Sequence, residues 1–219
     1  MGYRELFFDL DGTISDSAQG ILNSVLYALG RMGIESPPRE SLYYFIGPPL
    51  IRSFSQGFDL SEEEARRAVL LYRENYNVRG IYECRAYEEI GEALRALRAK
   101  GYRLTLATCK PRVLAERVLE HLELRDCFDF VSGPELDGRR NEKHEVIAYA
   151  MDRLGIKSPE EILMIGDRRD DVLGAKTNGI DCVGVLWGFG SEGELSEAGA
   201  VTTLKTPWEL SAFLSKTSD

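Results

Sequence analysis

Short apolar runs and helix-spaced apolar positions take turns along this chain. Leu6-Phe7-Phe8 is uniformly apolar and ends in an Asp/Gly cluster, the mark of a strand buried on both faces of a parallel sheet. Residues 103–108, 128–131, 162–165 and 182–185 read the same way. Between them the spacing changes to three and four. Tyr87, Ile90, Leu94 and Leu97 precede the second run, and Val146, Ile147, Ala150, Met151 and Leu154 precede the fourth, which predicts amphipathic helices. Ser158-Pro159-Glu160-Glu161 combines an N-cap serine, a proline suited to the first helical position and a glutamate able to close a capping box, so a helix start is expected there. Strands alternating with helices predict an α/β fold: a doubly wound, mainly parallel, Rossmann-like sheet with its site at the carboxyl ends of the strands.

One interval breaks the alternation. About 90 residues separate the first two runs, far more than a strand-to-strand crossover needs. The stretch reads as helical. Ile21, Leu22, Val25, Leu26 and Leu29 mark a first helix, and a last one opens at the capping box Ser61-Glu62-Glu63-Glu64 and carries Ala65, Val69, Tyr72 and Tyr76. Gly47-Pro48-Pro49 forces a break between them. Residues 15–82 are therefore expected to form an inserted α-helical cap, and residues 1–14 with 83–219 the core. Tyr43, Tyr44, Phe45, Tyr72 and Tyr76 make the insert aromatic, most of them as packing for the small bundle.

Two acidic clusters stand where apolar runs end. In Phe8-Asp9-Leu10-Asp11-Gly12-Thr13, residues two apart in extended chain point to one side, so Asp9 and Asp11 can share a pocket and divide nucleophilic from acid/base work. Gly12 allows a tight turn, and free N–H groups at Gly12 and Thr13 would suit phosphate oxygens. In Ile165-Gly166-Asp167-Arg168-Arg169-Asp170-Asp171, Asp167 and Asp171 lie four apart as the chain enters a helix. Either cluster alone is an ordinary acidic turn. Together they make a hard-oxygen site suited to Mg²⁺. Thr108 ends the second run, where its hydroxyl and the next N–H can meet a phosphoryl oxygen, and a lysine is needed to neutralise charge beside the nucleophile. Lys110 and Lys143 compete for that role on position alone.

Composition narrows the partners. A net charge of −9 without a basic stripe argues against a nucleic acid polymer. Cys84, Cys109, Cys127 and Cys182 form no C-x-x-C pair and sit at no metal-like spacing from His121 or His144, so reduced thiols in a cytoplasmic protein are expected. No charged leader and no apolar stretch of membrane-spanning length is apparent, and no membrane partner is expected. A monomer or a homodimer is compatible with this composition.

In order and spacing these residues resemble the four motifs of the haloacid dehalogenase-like hydrolases, and the likeness covers essentially the whole chain, the helical insert included. The resemblance implies that Asp9 is a nucleophile that becomes an aspartyl-phosphate and that Asp11 is the general acid/base, giving Mg²⁺ its backbone carbonyl. It further implies that Thr108 and Lys143 bind the phosphoryl group, that the backbone around Cys109 assists, and that Asp167 with Asp171 beside it holds the metal. The cap loop at Gly47, with Arg52 nearby, is expected to meet the leaving group. The substrate class is a small phosphomonoester, and the nearest members are phosphoglycolate-phosphatase-like. Ser132-Gly133-Pro134-Glu135-Leu136-Asp137-Gly138 before Lys143, together with Gly188-Phe189-Gly190-Ser191, is similar to a bacterial 5′-nucleotidase branch. Two departures are small: His144 stands where many relatives have proline, and Cys109 where asparagine or serine is commoner.

Asp11 speaks for phosphate rather than halide substrates, because dehalogenases lack an acid/base there. A β-phosphoglucomutase-like mutase shares both aspartates and differs only in how long the aspartyl-phosphate must last. A phospho-accepting receiver module is the rival outside enzymes. It is shorter, and neither the insert nor the Asp167 loop belongs to it.

Overall fold

The computed structural model describes residues 2–217. Its elements are β1 (Glu5–Phe8), β2 (Ser15–Asp16), α1 (Ala18–Met32), α2 (Leu50–Phe58), α3 (Glu62–Tyr76), β3 (Arg85–Ala86), α4 (Ile90–Ala99), β4 (Arg103–Ala107), α5 (Arg112–His121), β5 (Phe130–Ser132), α6 (Lys143–Leu154), β6 (Ile162–Gly166), α7 (Arg169–Thr177), β7 (Asp181–Val185), α8 (Glu192–Ala198), β8 (Thr202–Leu204) and α9 (Pro207–Lys216).

β1 is central because it is apolar on both faces. Leu6 and Phe8 join one hydrophobic cluster and Phe7 the other, each side chain fully buried or nearly so. β6 repeats the alternation, with Leu163 and Ile165 facing one way and Ile162 and Met164 the other. The sheet runs β5-β4-β1-β6-β7-β8, every pairing parallel, with β1 between β4 and β6. Ile90, Leu94 and Leu97 of α4 and Leu210 and Leu214 of α9 close the first face. Val146, Ile147 and Ala150 of α6 and Val172 and Ala175 of α7 close the second. Helices on both faces of a sheet whose order reverses at the centre make this the expected doubly wound fold, and the carboxyl ends of β1, β4, β5 and β6 meet at one edge.

The long interval is helical as expected. α3 starts at a real capping box: Ser61 Oγ accepts from the Glu64 N–H at 3.4 Å, and the Ser61 N–H donates to Glu64 Oε2 at 2.9 Å. Leu22, Val25, Leu29, Phe45 and Phe54 fill the space between α1, α2 and α3, with the Phe45 and Phe54 rings 4.8 Å apart edge to face. The insert leaves and rejoins the sheet through β2 and β3, which pair antiparallel with Ser15 opposite Ala86 and Asp16 opposite Arg85.

One local expectation changes. Ser158–Glu161 does not open an α-helix: Pro159–Glu161 is one 3-10 turn without a side-chain cap bond, and the chain passes directly into β6. The buried apolar run at Ile162 demands extended backbone, and that demand overrides the local cap signal. The β2–β3 ribbon and the edge strand β8 were not apparent from the apolar pattern, being two or three residues long and largely polar. Among the described residues no helix is long and apolar enough to cross a membrane.

Candidate active site

Parallel pairing carries Asp9 one residue beyond β1, where its N–H donates to the Ile165 carbonyl at 2.9 Å. The chain then turns sharply. The Leu10 carbonyl accepts from the N–H groups of Thr13, Ile14 and Ser15, and the Gly12 N–H donates to the Ser15 carbonyl at 2.9 Å. This corrects the expectation of free amides at Gly12 and Thr13, which the turn itself consumes. Both residues instead shape the wall around Asp167. The Thr13 hydroxyl donates to Asp167 Oδ1 at 3.4 Å, and a Cβ on Gly12, whose φ is +94°, would lie 2.2 Å from Asp167 Oδ2. Gly12→Ala is therefore expected to destabilise the protein by about 1–3 kcal/mol in thermal melts and to displace Asp167.

Asp9, Asp11, Asp167 and Asp171 are all at least 94% buried, and Lys143 enters among them from the first position of α6. Its ammonium lies 2.7 Å from Asp9 Oδ1, 2.7 Å from Asp171 Oδ1 and 2.9 Å from the Ala107 carbonyl. Burial alone would lower the Lys143 pKa; Asp171 and Asp9 outweigh it and hold the amine well above its usual value. Lys110 reaches a different carboxylate. Its ammonium sits 2.5 Å from Asp11 Oδ1 and 5.2 Å from the centre of the Tyr76 ring. Sequence position left the two lysines level, whereas the fold gives Lys143 to the nucleophile candidate and Lys110 to the acid/base candidate.

Asp171 occupies the first turn of α7, where its Oδ2 accepts the Arg168 N–H at 3.0 Å. Burial, reinforced by Asp9 and opposed by Lys143, pushes its carboxyl up to about 6. Burial, then Asp171 and Asp9, holds Asp167 well above the usual carboxylate range, although the Phe189 N–H donates to its Oδ2 at 2.8 Å. One oxygen from each of Asp9, Asp167 and Asp171 lies within 4.8 Å of the other two, and no ion pair among the described residues includes Asp167. Three buried carboxylates sharing one ammonium are short of positive charge, and a small divalent cation fits that donor set. The Asp11 carboxylate is outside this cluster, so its expected metal contact rests on its backbone carbonyl.

Thr108 is buried just past β4, with its N–H on the Ser132 carbonyl at 3.1 Å and its Oγ1 accepting from Lys110 N–H at 3.2 Å. Desolvation pushes the neighbouring Cys109 thiol up to about 12, which leaves its backbone as the group of interest. A cavity of about 330 Å³ opens beside Asp11, Cys109 and Lys110. Gly47 and Pro48 line it from the loop before α2, Leu50 and Ile51 from the first turn of α2, Val69, Leu70, Tyr72 and Tyr76 from α3, and Leu114, Leu136 and Asn141 from the core. Arg66 and Arg73 also reach it; no spacing in the sequence marked these two or Asn141. Arg52 does not line it. Arg52, expected near the leaving group, pairs its guanidinium with Asp170 and, at 3.4 Å, with Glu142.

Comparison with known proteins identifies the family. The pattern of the haloacid dehalogenase-like hydrolase family matches residues 6–185. A 5′-nucleotidase of Pseudomonas aeruginosa is 46% identical over 193 residues, 88% of this chain and 87% of that protein. Tyrosine-protein kinase PtkA of Mycobacterium tuberculosis is 38% identical over 188 residues, 84% of this chain and 62% of that protein. The crystal structure of "a predicted phosphatase from Clostridium acetobutylicum" superposes with a TM-score of 0.96 at 41% identity, covering 99% of this chain and all of that one.

Proposed function

Because the chain belongs to the haloacid dehalogenase-like hydrolases and is an enzyme of their phosphatase type, we propose that it hydrolyses nucleoside 5′-monophosphates through an aspartyl-phosphate on Asp9. Asp9, Asp167 and Asp171, with the Asp11 carbonyl, would hold Mg²⁺, whose chemistry is to neutralise phosphoryl charge and align the phosphate.

The Asp9 carboxylate attacks phosphorus and the bond to the leaving alkoxide breaks. Asp11 gives that alkoxide its proton, then takes one from the water that cleaves the aspartyl-phosphate. Lys143 restrains the nucleophile at 2.7 Å and meets the charge that moves onto the phosphoryl oxygens. Lys110 restrains Asp11 in the same way from the cavity side. Thr108 and the backbone at Cys109 complete the phosphoryl cradle. Residues 15–82 act as a cap that excludes bulk water, and the Gly47 loop closes over the leaving group.

The observation that carries the substrate reading is the cavity beside Asp11. Phosphoglycolate presents a second carboxylate and little else, and it calls for a free cation. The walls are mostly apolar and aromatic; Lys110 is paired with Asp11 and Arg66 with Glu62 at 2.5 Å, Arg52 lies outside the cavity, and Arg73, bonded to the neutral Leu136 carbonyl at 3.3 Å, is the one lining cation with no acidic partner among the ion pairs of the described residues. A nucleoside body suits such a compartment, since a base stacked on an aromatic ring such as Tyr72 gains about 1–3 kcal/mol. Comparison of kcat/KM for a panel of nucleoside monophosphates and for phosphoglycolate tests the reading. At least about a tenfold preference for a nucleotide is expected, worth ~1.4 kcal/mol. A preference for phosphoglycolate would sink the nucleotidase reading and keep the phosphatase one.

A further inference from the structure

One guanidinium reaches from the cap to two acids of the core. Arg52, half-buried on α2, spans from Glu142 to Asp170. These two acids belong to different helices: Glu142 is the N-cap residue of α6 and Asp170 lies in the first turn of α7. Each stands immediately before a residue of the charged centre. Lys143 follows Glu142, Asp171 follows Asp170, and the two successors face each other at 2.7 Å. Neighbouring contacts brace the same loop. Gly47 packs on the Arg168 side chain, close enough that a Cβ would lie 2.9 Å from Arg168 Cγ, and the Tyr43 ring lies 5.9 Å from Phe189, whose N–H holds Asp167.

We infer that Arg52 is a positioning residue: a clasp from the cap that ties the first turns of α6 and α7 together and so sets Lys143 against Asp171 and Asp9 when the cap is closed. The inference rests on the phosphatase reading for its kinetic consequence, though not for its geometry. A planar guanidinium can serve two carboxylates at fixed spacing, whereas an ammonium on a flexible stem serves one at a time. Both acids are partly exposed, so the clasp can open with the cap and reform with it. Sub-ångström misplacement of Lys143 would then act on the rate of phosphoryl transfer more than on substrate capture.

The test uses the full chain and p-nitrophenyl phosphate, which asks little of the cap's selectivity. Arg52→Ala is expected to lower kcat by about 10- to 100-fold with KM changed less than about threefold. The paired variant Glu142→Gln with Asp170→Asn, which keeps the size of both side chains and removes both charges, should show the same loss. Combining all three substitutions should add nothing further. Arg52→Lys should fall in between. Independently of turnover, amide hydrogen exchange of the metal-free protein should quicken at residues 142–146 and 168–172 in Arg52→Ala, while Leu104 and Leu163 in the sheet keep wild-type protection. A loss confined to KM, or to Arg52→Ala without the acid pair, would overturn the clasp in favour of direct substrate contact. Unchanged exchange at both helix starts would overturn it as well. Absence of phosphatase activity in the wild type would refute the functional reading and leave the exchange result to decide the clasp.

Discussion

Asp9→Asn should reduce phosphate release by more than about 1,000-fold and leave a folded protein, because the amide keeps the shape and hydrogen-bonding reach of the carboxylate but not its nucleophilic charge. The structural side of this expectation is specific. Asp9 shares Lys143 with Asp171, so the ammonium keeps one partner at 2.7 Å and is not left as an unpaired buried charge. Asp9 also raises the carboxyl pKa of both Asp167 and Asp171, which means that its charge strains the metal-free site. Removing it relieves that repulsion. If the relief is about 1 kcal/mol, the metal-free variant melts about 2–4 °C higher than the metal-free wild type. Calorimetry and a phosphate-release assay check the two halves together. A variant that keeps a tenth of wild-type activity would remove Asp9 as the nucleophile, whatever its stability.

Stripping divalent cations should have an effect of similar size. Activity is expected to vanish in a chelator and return with Mg²⁺, and Ca²⁺ should restore it poorly because its looser coordination disturbs in-line geometry. Stability should follow. A cation at 100 times its Kd adds about 2.7 kcal/mol if the unfolded chain does not bind it. The pH dependence of the metal-free protein has a definite sign. Asp171 titrates near 6 in the folded state, above the ordinary aspartate value, so folding favours its protonated form. That contribution is fully present below the unfolded pKa and is lost as pH rises through about 6. Asp167, raised for the same reason, acts in the same direction. The melting temperature of the metal-free protein should therefore carry a downward contribution between pH 5 and pH 7 that saturating Mg²⁺ removes. Full activity in chelator, or a melting curve that Mg²⁺ does not move, would take the metal out of the site.

Much of this was legible in the sequence because the relevant signals are local. A strand buried on both faces must be apolar throughout, so β1, β4, β6 and β7 announce themselves. Asp9 and Asp11 follow one such run, and Asp167 with Asp171 follows another. What was hidden depends on distance. β8 is a polar edge strand with nothing to bury on its outer side, and the β2–β3 ribbon is too short for any period. Ser158 carried a sound helix-start signal that lost to the strand behind it. Position alone left Lys110 and Lys143 level; the family resemblance chose Lys143, and it is Lys143 that lies on Asp9 in the fold. Arg66, Arg73 and Asn141 reach the cavity from a helix face and a loop that no sequence interval links. Arg52 was legible as a cap cation near the site, but its partners, 90 and 118 residues away, were not.

The β2–β3 ribbon bears on how such a protein can change over time. Ser15 and Asp16 lie opposite Ala86 and Arg85, so the chain departs from the sheet and returns to it through hydrogen-bonded neighbours. Everything between them is, for the six parallel strands, an excursion that leaves and returns at one place. Lengthening a flexible loop twofold costs only about 0.6 kcal/mol in closure entropy, and the strands on either side need not shift register to accommodate it. Helices can therefore be exchanged, lengthened or trimmed above the ribbon while Asp9, Thr108 and Asp167 stay where the sheet puts them, and only the Arg52 clasp ties Lys143 to what is exchanged. A foreign insert grafted between Asp16 and Arg85 is expected to change the substrate range, and to keep the rate of phosphoryl transfer only where it also supplies a cation to Glu142 and Asp170.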